Sequence, residues 1–337
     1  MPTVLRHLLL LTQSPRLCPG EPRKEAHPMQ IAARRAFLTQ DHRLALVWRL
    51  LSYLVLFIVV NLVANVARVV LQSVGVPSVI CRLVFTLLYI SGILGLTYMY
   101  RRSVDRRSWQ GIALPPLHKR LLDVMVGMVS GILIVALVFG LESASGWIHI
   151  VGFEGGTNAL TLLLDSLLLS LAFGVCEEIC FRGYIFQNLG EGSPIWMATL
   201  VTGLIFCAFH LLEVGFDARG LSFLLFIMLL NVFLVLTRLL TRSLWLAIGF
   251  HTAFDWVAII VGLGSVVSAD RHVLHVERTT SLIAEDLLTA FVVVLGILLL
   301  LVWAWWSKRH LSWRATLAQD GQLQATKAQP VPVEQGG

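Results

Sequence analysis

Charged side chains are scarce in this chain. They make up 14% of its 337 residues, whereas hydrophobic residues make up 57%. A soluble globular domain carries about 25% charged residues, so the composition excludes an ordinary soluble protein. The mean hydropathy of +0.79, together with repeated apolar runs long enough to cross a bilayer, indicates a polytopic membrane protein.

The chain also lacks the motifs of several familiar sites. Its five cysteines include no C-x-x-C pair, which argues against a disulfide scaffold or a zinc knuckle. The His-Glu-x-x-His signature of zinc proteases is absent, and so is the Gly-x-Ser-x-Gly pattern of serine hydrolases. These absences disfavour a zinc site of the soluble type and a serine nucleophile.

Apolar runs of about 20 residues predict roughly eight transmembrane helices. They cover 48–71, 79–100, 121–141, 160–187, 195–213, 220–237, 243–263 and 287–306. The predicted fold is therefore all-α, with a membrane domain over 44–306. The N-terminal arm 1–43 and the tail 307–337 are expected to be cytoplasmic and disordered.

Lys and Arg are concentrated in the loops of one face. The loop 101–120 is rich in arginine, whereas the loop 142–159 contains neither Lys nor Arg. The positive-inside rule therefore predicts that both termini are cytoplasmic, in a cell membrane that we expect to be the bacterial cytoplasmic membrane. Because the basic residues lie at segment ends and form no patch, the net charge of +6 predicts no binding to nucleic acid.

Three ionisable residues interrupt the fourth apolar run: Glu177, Glu178 and Arg182. A charge at membrane depth costs about 2.5–3.5 kcal/mol unless it pairs or faces a protein interior. Glu178 and Arg182 are four residues apart, with the acid first, which favours an ion pair on one helix face. This pattern alone also fits a purely structural ion pair.

Further polar residues lie in two later apolar runs. His210 is in the fifth run, and His251 and Asp255 are in the seventh. Since lipid offers buried charges no partner, these side chains are expected to converge with the acidic pair on one polar cavity. The basic loop 101–120 suggests that this cavity opens to the cytoplasm. Asp165, near the start of the fourth run, is expected to face solvent or cap its helix.

The collected side chains suit the hydrolysis of an amide by activated water. A carboxylate beside a like charge can take a proton from water, which would make Glu177 the base. Histidines bind a metal or donate hydrogen bonds to the oxyanion that forms when water attacks a carbonyl. Asp255, one turn beyond His251, would orient that imidazole or act as a further ligand.

Three motifs in this order resemble those of the CPBP family of intramembrane proteases, named for CAAX-prenyl and bacteriocin processing and also called the Abi family. They are Glu177-Glu178-x-x-x-Arg182, Phe206-x-x-x-His210 and His251-x-x-x-Asp255. The resemblance covers roughly 100–260, with the catalytic core at 160–263 in the fourth to seventh spans. Asp255 stands where the family often has Asn.

The resemblance implies a metalloendopeptidase in which Glu177 activates water, with Glu178 and Arg182 as its supports. His210 and His251 would stabilise the oxyanion, or would join Glu177 in binding zinc or another divalent metal. The implied substrate is a prenylated CAAX protein, a leader peptide or a segment of a membrane protein, and the partners are this substrate and the lipid bilayer.

Two other classes of protein remain open from the sequence. A proton-coupled transporter also buries Glu, Arg and His in a helix bundle, although it predicts broken helices and pseudo-symmetric halves. A non-catalytic immunity or scaffold protein would keep the fold without the reaction. Cleavage of a peptide would separate the protease from both.

Overall fold

The computed structural model describes residues 44–263 and 273–307, and most of them are helical. The predicted arm 1–43 and nearly all of the tail 307–337 lie outside these residues. The helices are α1 (Leu46–Ser73), α2 (Ser78–Met99), α3 (Leu121–Ala144), α4 (Gly156–Glu177), α5 (Phe186–Gly190), α6 (Ile195–Val214), α7 (Ala218–Thr241), α8 (Trp245–Val261) and α9 (Leu282–Trp306).

Short non-α segments join or extend several of these helices. A π-helix over Tyr100–Val104 extends α2, and a second over Glu178–Ile185 joins α4 to α5 in one continuous rod. Two 3₁₀ turns, Trp109–Ile112 and Leu117–Lys119, lie in the loop before α3. The described chain therefore has eight helical rods, which confirms the predicted all-α membrane fold of about eight helices.

Six of the rods in the described chain are long and apolar enough to cross a membrane, and the protein is an integral membrane protein. The other two helices are also apolar, but their apolar segments are shorter: Ile195–Leu211 in α6 and Trp245–Val261 in α8. At 1.5 Å rise per residue, the 17 residues of α8 extend about 25 Å, which is less than the 30 Å hydrocarbon core. These two short helices carry His210 and His251.

Small residues allow α8 to pack closely against its neighbours. A Cβ atom at Gly127 of α3 would lie 2.2 Å from the carbonyl oxygen of Leu246. A Cβ at Gly174 of α4 would lie 2.5 Å from Oγ1 of Thr252. Such contacts bring helix backbones together, and the contact at Gly174 holds α4 against the part of α8 that carries His251.

A small antiparallel ribbon connects the helices at one end of the bundle. It consists of β1 (Ile148–Phe153) and β2 (Leu274–Arg278), with Ile148 opposite Arg278 and an irregularity between Ile150 and Gly152. The sequence predicted only loops here. The strands were missed because each is short and pairs with a segment more than 100 residues away.

Asp165 does not face solvent or cap a helix, so that prediction was wrong. Its two carboxylate oxygens each accept a hydrogen bond from Arg82 of α2, from Nε and Nη2, both at 3.1 Å. The pair is largely buried and joins α2 to α4. The sequence offered no way to pair an arginine in the second span with an acid more than 80 residues later.

Candidate functional site

The two adjacent glutamates lie where α4 becomes a π-helix. Glu177 ends α4 and Glu178 begins the π segment. A π turn bonds each N–H to the carbonyl five residues earlier, so side chains four apart lie nearly above one another. Arg182 accordingly donates from Nη1 to Oε1 of Glu178 at 2.8 Å, and both side chains are fully buried. This is the ion pair that the spacing predicted.

His251 of α8 lies among three carboxylates. Its Nδ1 is 3.0 Å from Oε1 of Glu178. Its Nε2 is 3.5 Å from Oδ2 of Asp255 and 3.8 Å from Oε2 of Glu177. The structure therefore brings both acids of α4 to the imidazole and carboxylate of α8. Both ring nitrogens face acceptors, an arrangement that a protonated imidazole satisfies with its two N–H groups.

His210 of α6 is held by its own helix. Its Nδ1 is 2.9 Å from the carbonyl oxygen of Phe206. Since a carbonyl only accepts, Nδ1 carries the proton, and a neutral ring then has its lone pair on Nε2. The ring also packs edge-on against Phe206, with centroids 4.6 Å apart.

Phe206 contacts several members of the site at once. Its ring lies 4.3 Å from the guanidinium carbon of Arg182, a cation–π contact, and packs edge-on against Phe181 at 4.8 Å. Phe206 is fully buried. The sequence identified this residue as part of a motif but gave it no role, and the structure makes it the ring that fixes both Arg182 and His210.

One cavity of about 90 Å³ joins the predicted residues. Glu177, His210, His251 and Asp255 are its ionisable lining residues. Its apolar wall comes from α4, α6, α7 and α8, and consists of Leu169, Phe173, Phe206, Phe223, Phe226, Ile227, Leu230, Phe254 and Ile259. Helix α7 belongs to the predicted core of the fourth to seventh spans, but its wall residues were not identified, because apolar residues facing a cavity look the same in sequence as those facing lipid.

The cavity lies in the half of the bundle next to the β1–β2 ribbon. His210 is near the end of α6, Phe223 is near the start of α7, and Ile259 is near the end of α8. All three helix ends are on the ribbon side, opposite the arginine-rich loop 101–120. The expectation that the cavity opens to the cytoplasm stays a prediction.

A family comparison matches the part of the chain that builds this cavity. Residues 158–257 match the family model described as type II CAAX prenyl endopeptidase Rce1-like. The chain contains an Rce1-like domain. The resemblance expected from the three motifs is thereby confirmed, and the family supports a protease that acts on a peptide or protein in a membrane setting. Searches of curated proteins and of solved structures found no match.

The Rce1-like domain contains every site residue predicted from the sequence, from Glu177 to Asp255. It covers less than a third of the chain and begins two residues after the start of α4. Helices α1, α2, α3 and α9 lie outside it. Two of them nevertheless contact the domain directly, because α3 packs on α8 and Arg82 of α2 binds Asp165 of α4.

The predicted metal ligands do not form a metal site as they lie. Within the described ranges 44–263 and 273–307, no three His, Cys, Asp or Glu side chains are grouped closely enough to hold a metal ion. Nδ1 of His251 is hydrogen-bonded to Glu178, and Nε2 lies 3.5 Å and 3.8 Å from the carboxylates of Asp255 and Glu177. A zinc site at Glu177, His210 and His251 stays a prediction that this geometry does not support.

Proposed function

We propose that this protein is an intramembrane endopeptidase that hydrolyses a peptide bond with water activated by Glu177. The observation that carries the proposal is the single cavity on which Glu177, His210, His251 and Asp255 meet within an Rce1-like domain. A carboxylate and two imidazoles at one cavity are the groups that general-base hydrolysis requires.

The reaction begins when Glu177 takes a proton from a water molecule. The oxygen of that water attacks the peptide carbonyl carbon, and the carbonyl oxygen becomes an oxyanion. His251 donates a hydrogen bond to this oxyanion from Nε2, whose carboxylate neighbours are distant enough to allow it. Glu177 then gives its proton to the leaving nitrogen as the C–N bond breaks, so the base is regenerated.

His210 has a different part in this proposal from the one expected from the sequence. Its Nδ1–H is already donated to Phe206, so the neutral ring accepts a hydrogen bond at Nε2. We assign it to the attacking water, which it would aim together with Glu177. A hydrogen bond from Nε2 to the oxyanion would require the ring to be protonated at both nitrogens.

Glu178, Arg182 and Asp255 support the reacting groups without touching the substrate. Glu178 accepts hydrogen bonds from Arg182 and His251, and so fixes the His251 ring from its Nδ1 side. Asp255 lies on the other side, at Nε2. Such carboxylate partners orient an imidazole and stabilise its charged form.

The substrate class follows from the cavity walls and from the family. Four phenylalanines, at 173, 223, 226 and 254, line the same cavity as the ionisable groups, and rings of this kind bind apolar side chains or a prenyl group. We propose a CAAX-type prenylated peptide as the first substrate to examine, ahead of a leader peptide or a membrane-protein segment.

The test is cleavage of a fluorogenic farnesylated CAAX peptide by the full chain purified in detergent. We expect wild-type protein to release the C-terminal tripeptide, and Glu177→Gln to lower kcat by at least 1,000-fold, roughly the scale of losing an essential base. Glu277→Gln, which changes an exposed carboxylate on β2, is the matched control and should leave kcat unchanged. Cleavage by Glu177→Gln at the wild-type rate would refute the assignment of the base.

A further inference from the structure

A fully buried carboxyl group lies at the base of the ribbon, outside the lining of the cavity. Glu142 is in the last turn of α3 and is 0% exposed. Neither of its side-chain oxygens makes a hydrogen bond to any residue of the described chain. An ionised carboxylate without a partner is very costly to bury, so the charged form of Glu142 does not suit this position.

The charged groups near enough to Glu142 to affect its ionisation come from α9 and β2. They are Glu285, in the first turn of α9, and Arg278, the last residue of β2. Glu285 is only 2% exposed. Nε of Arg278 lies 2.9 Å from Oε1 of Glu285 and donates to Oε2 at 3.2 Å. Glu142 therefore has a like charge beside it, and the arginine is already paired with that charge.

The other titratable groups on the neighbouring elements are engaged elsewhere or exposed. Asp286 of α9 accepts a hydrogen bond from Ser222 of α7 at 2.7 Å, and Arg219 of α7 acts on the two acids of α9. Residues 256–261, at the ribbon end of α8, include no titratable side chain, and His149 of β1 is exposed. None of these elements offers the buried acid of α3 a counter-ion.

A proton satisfies this position without needing space. Both oxygens of Glu142 are closed to solvent, so a bound water or ion has no room at them. A buried carboxyl group without a counter-ion takes up a proton in preference to remaining charged. In the described part of the chain, no three acidic, histidine or cysteine side chains are grouped to hold a metal ion, so a metal does not replace the proton.

We propose that Glu142 binds a proton in the folded protein, and that this proton keeps Arg278 available to the ribbon end of α8. Nη2 of Arg278 donates to the carbonyl oxygen of Gly262, the residue that caps the C terminus of α8. If Glu142 ionised, two carboxylates would compete for one guanidinium group, and the bond to Gly262 would weaken. Ile259, in the last turn of α8, lines the cavity, so loss of the proton reaches the cavity wall.

The first test compares unfolding temperatures of the full chain in detergent at about pH 5 and about pH 8. Above about pH 4.3, where a free glutamate ionises, the folded protein holds a proton that the unfolded chain releases, so stability falls as pH rises. Glu142→Gln is neutral in both states and removes this part of the slope. We expect the unfolding temperature of Glu142→Gln, measured relative to wild type, to be about 2–4 °C higher at pH 8 than at pH 5.

Glu277→Gln is the matched control, because it changes an exposed carboxylate of β2 that water solvates in the folded protein. Its difference from wild type should be the same at both pH values. A difference for Glu142→Gln that stays constant, or that becomes more negative at pH 8, would overturn the proton site. A Glu142→Gln chain that does not fold would also overturn it, since an amide resembles a neutral carboxyl group in shape and charge.

The second test detects the proton directly. The infrared spectrum of wild type minus that of Glu142→Gln, both at about pH 6, should contain the carbonyl stretch of a neutral carboxyl group, because a buried acid without a counter-ion stays protonated there. Carboxylate bands alone would show that Glu142 is ionised and would overturn the proposal.

The third test measures the coupling to the cavity and rests on the proposed peptidase. With the farnesylated peptide, we expect kcat of wild type to fall at the alkaline end of its pH profile, and Glu142→Gln to displace that fall to higher pH. Identical profiles would overturn the coupling through Arg278. If the wild type cleaves nothing, the peptidase proposal fails, while the unfolding and infrared results still decide the proton site.

Discussion

One carboxylate oxygen of Glu178 is shared by two buried cations or potential cations. Oε1 accepts from Arg182 Nη1 at 2.8 Å and lies 3.0 Å from His251 Nδ1. Glu178 and Arg182 are completely buried, and His251 is nearly so. The oxygen thus connects the π segment after α4 with α8. Glu177, its neighbour in sequence, lies on the cavity and is 18% exposed.

Because Glu178 is buried in an ion pair and Glu177 lies on the cavity, replacing the first is expected to affect stability and replacing the second to affect activity. Glu178→Gln leaves the Arg182 charge buried without its counter-ion, and breaking a buried pair in this way costs about 3–5 kcal/mol. We expect a large fall in the thermal unfolding temperature of Glu178→Gln in detergent, whereas Glu177→Gln should lose activity with little change in stability. Unfolding followed by intrinsic fluorescence measures both variants under the same conditions.

A double variant provides the control for this prediction. Replacing both partners by neutral groups, as in Glu178→Gln with Arg182→Met, removes the unpaired charge and should recover much of the lost stability. Activity should not return, because the neutral amide at position 178 no longer stabilises the charged form of the His251 ring as the carboxylate does. A double variant less stable than Glu178→Gln alone would show that the pair contributes more than charge compensation.

The sequence predicted the composition of the site well for a physical reason. Lipid cannot solvate a charge, so Glu177, His210 and His251 had to meet in a protein interior, whichever way the helices were arranged. The pair of Glu178 with Arg182 followed from spacing within one helix. Both inferences use constraints that are local or nearly independent of tertiary structure.

Other features depend on tertiary contacts that leave no pattern in the sequence. The π segment after Glu177 changes the hydrogen-bond register without a proline or glycine at its start to signal it. The ribbon pairs residues far apart in the chain, and Arg82 binds Asp165 across more than 80 residues. The position of the cavity near the ribbon depends on where α6 and α8 sit along their neighbours, which periodicity does not reveal.

Breaking the ion pair of Arg82 and Asp165 is expected to lower the stability of the protein without lowering its catalytic rate. Asp165→Asn removes the charge from a doubly hydrogen-bonded and mostly buried pair, at a cost of about 1–3 kcal/mol. Asp165 is 12 residues before Glu177, about 18 Å along the helix, so kcat of the folded protein should be unchanged. The unfolding temperature and kcat, measured on the same preparation, test the expected loss of stability and the expected unchanged rate.

Asp123→Asn is the matched control for Asp165→Asn. It also removes a carboxylate from a pair with arginine, here Arg120 at 3.3 Å, but these side chains are 21% and 37% exposed. Exposed pairs contribute about 0–1 kcal/mol, so we expect a much smaller shift in unfolding temperature. Equal shifts for the two variants would mean that burial does not decide the strength of the Arg82 pair.

Metal removal distinguishes two roles for His210 and His251: ligands of a metal ion, or groups that hydrogen-bond the attacking water and the oxyanion. Because the described residues include no three side chains grouped closely enough to hold a metal ion, we expect EDTA or 1,10-phenanthroline to leave kcat within about twofold of its initial value. Elemental analysis of the purified protein should find no stoichiometric zinc. Loss of cleavage with the chelator, restored by zinc and by no other addition, would establish the coordination of Glu177, His210 and His251 instead.

The close contact of α4 with α8 predicts that adding one methyl group at Gly174 strongly lowers activity. A Cβ at Gly174 would lie 2.5 Å from Thr252 Oγ1 and 2.9 Å from the Thr252 backbone nitrogen. Rotating the threonine side chain relieves the first contact and not the second, so Gly174→Ala must move one helix away from the other. His251 is next to Thr252, so the same movement would lengthen the hydrogen bond between His251 and Glu178.

A displacement of about 1 Å at reacting groups lowers rates by roughly 100-fold, and we expect that loss in kcat for Gly174→Ala, with an overpacking cost of about 1–3 kcal/mol in stability. Gly95→Ala on α2 is the matched control, because a Cβ there meets no atom within 4 Å and alanine favours the helix. It should keep full activity and lose no stability. If Gly174→Ala kept wild-type kcat, the distance between α4 and α8 would not set the geometry of catalysis, and His251 would have to be aligned by Glu178 and Asp255 alone.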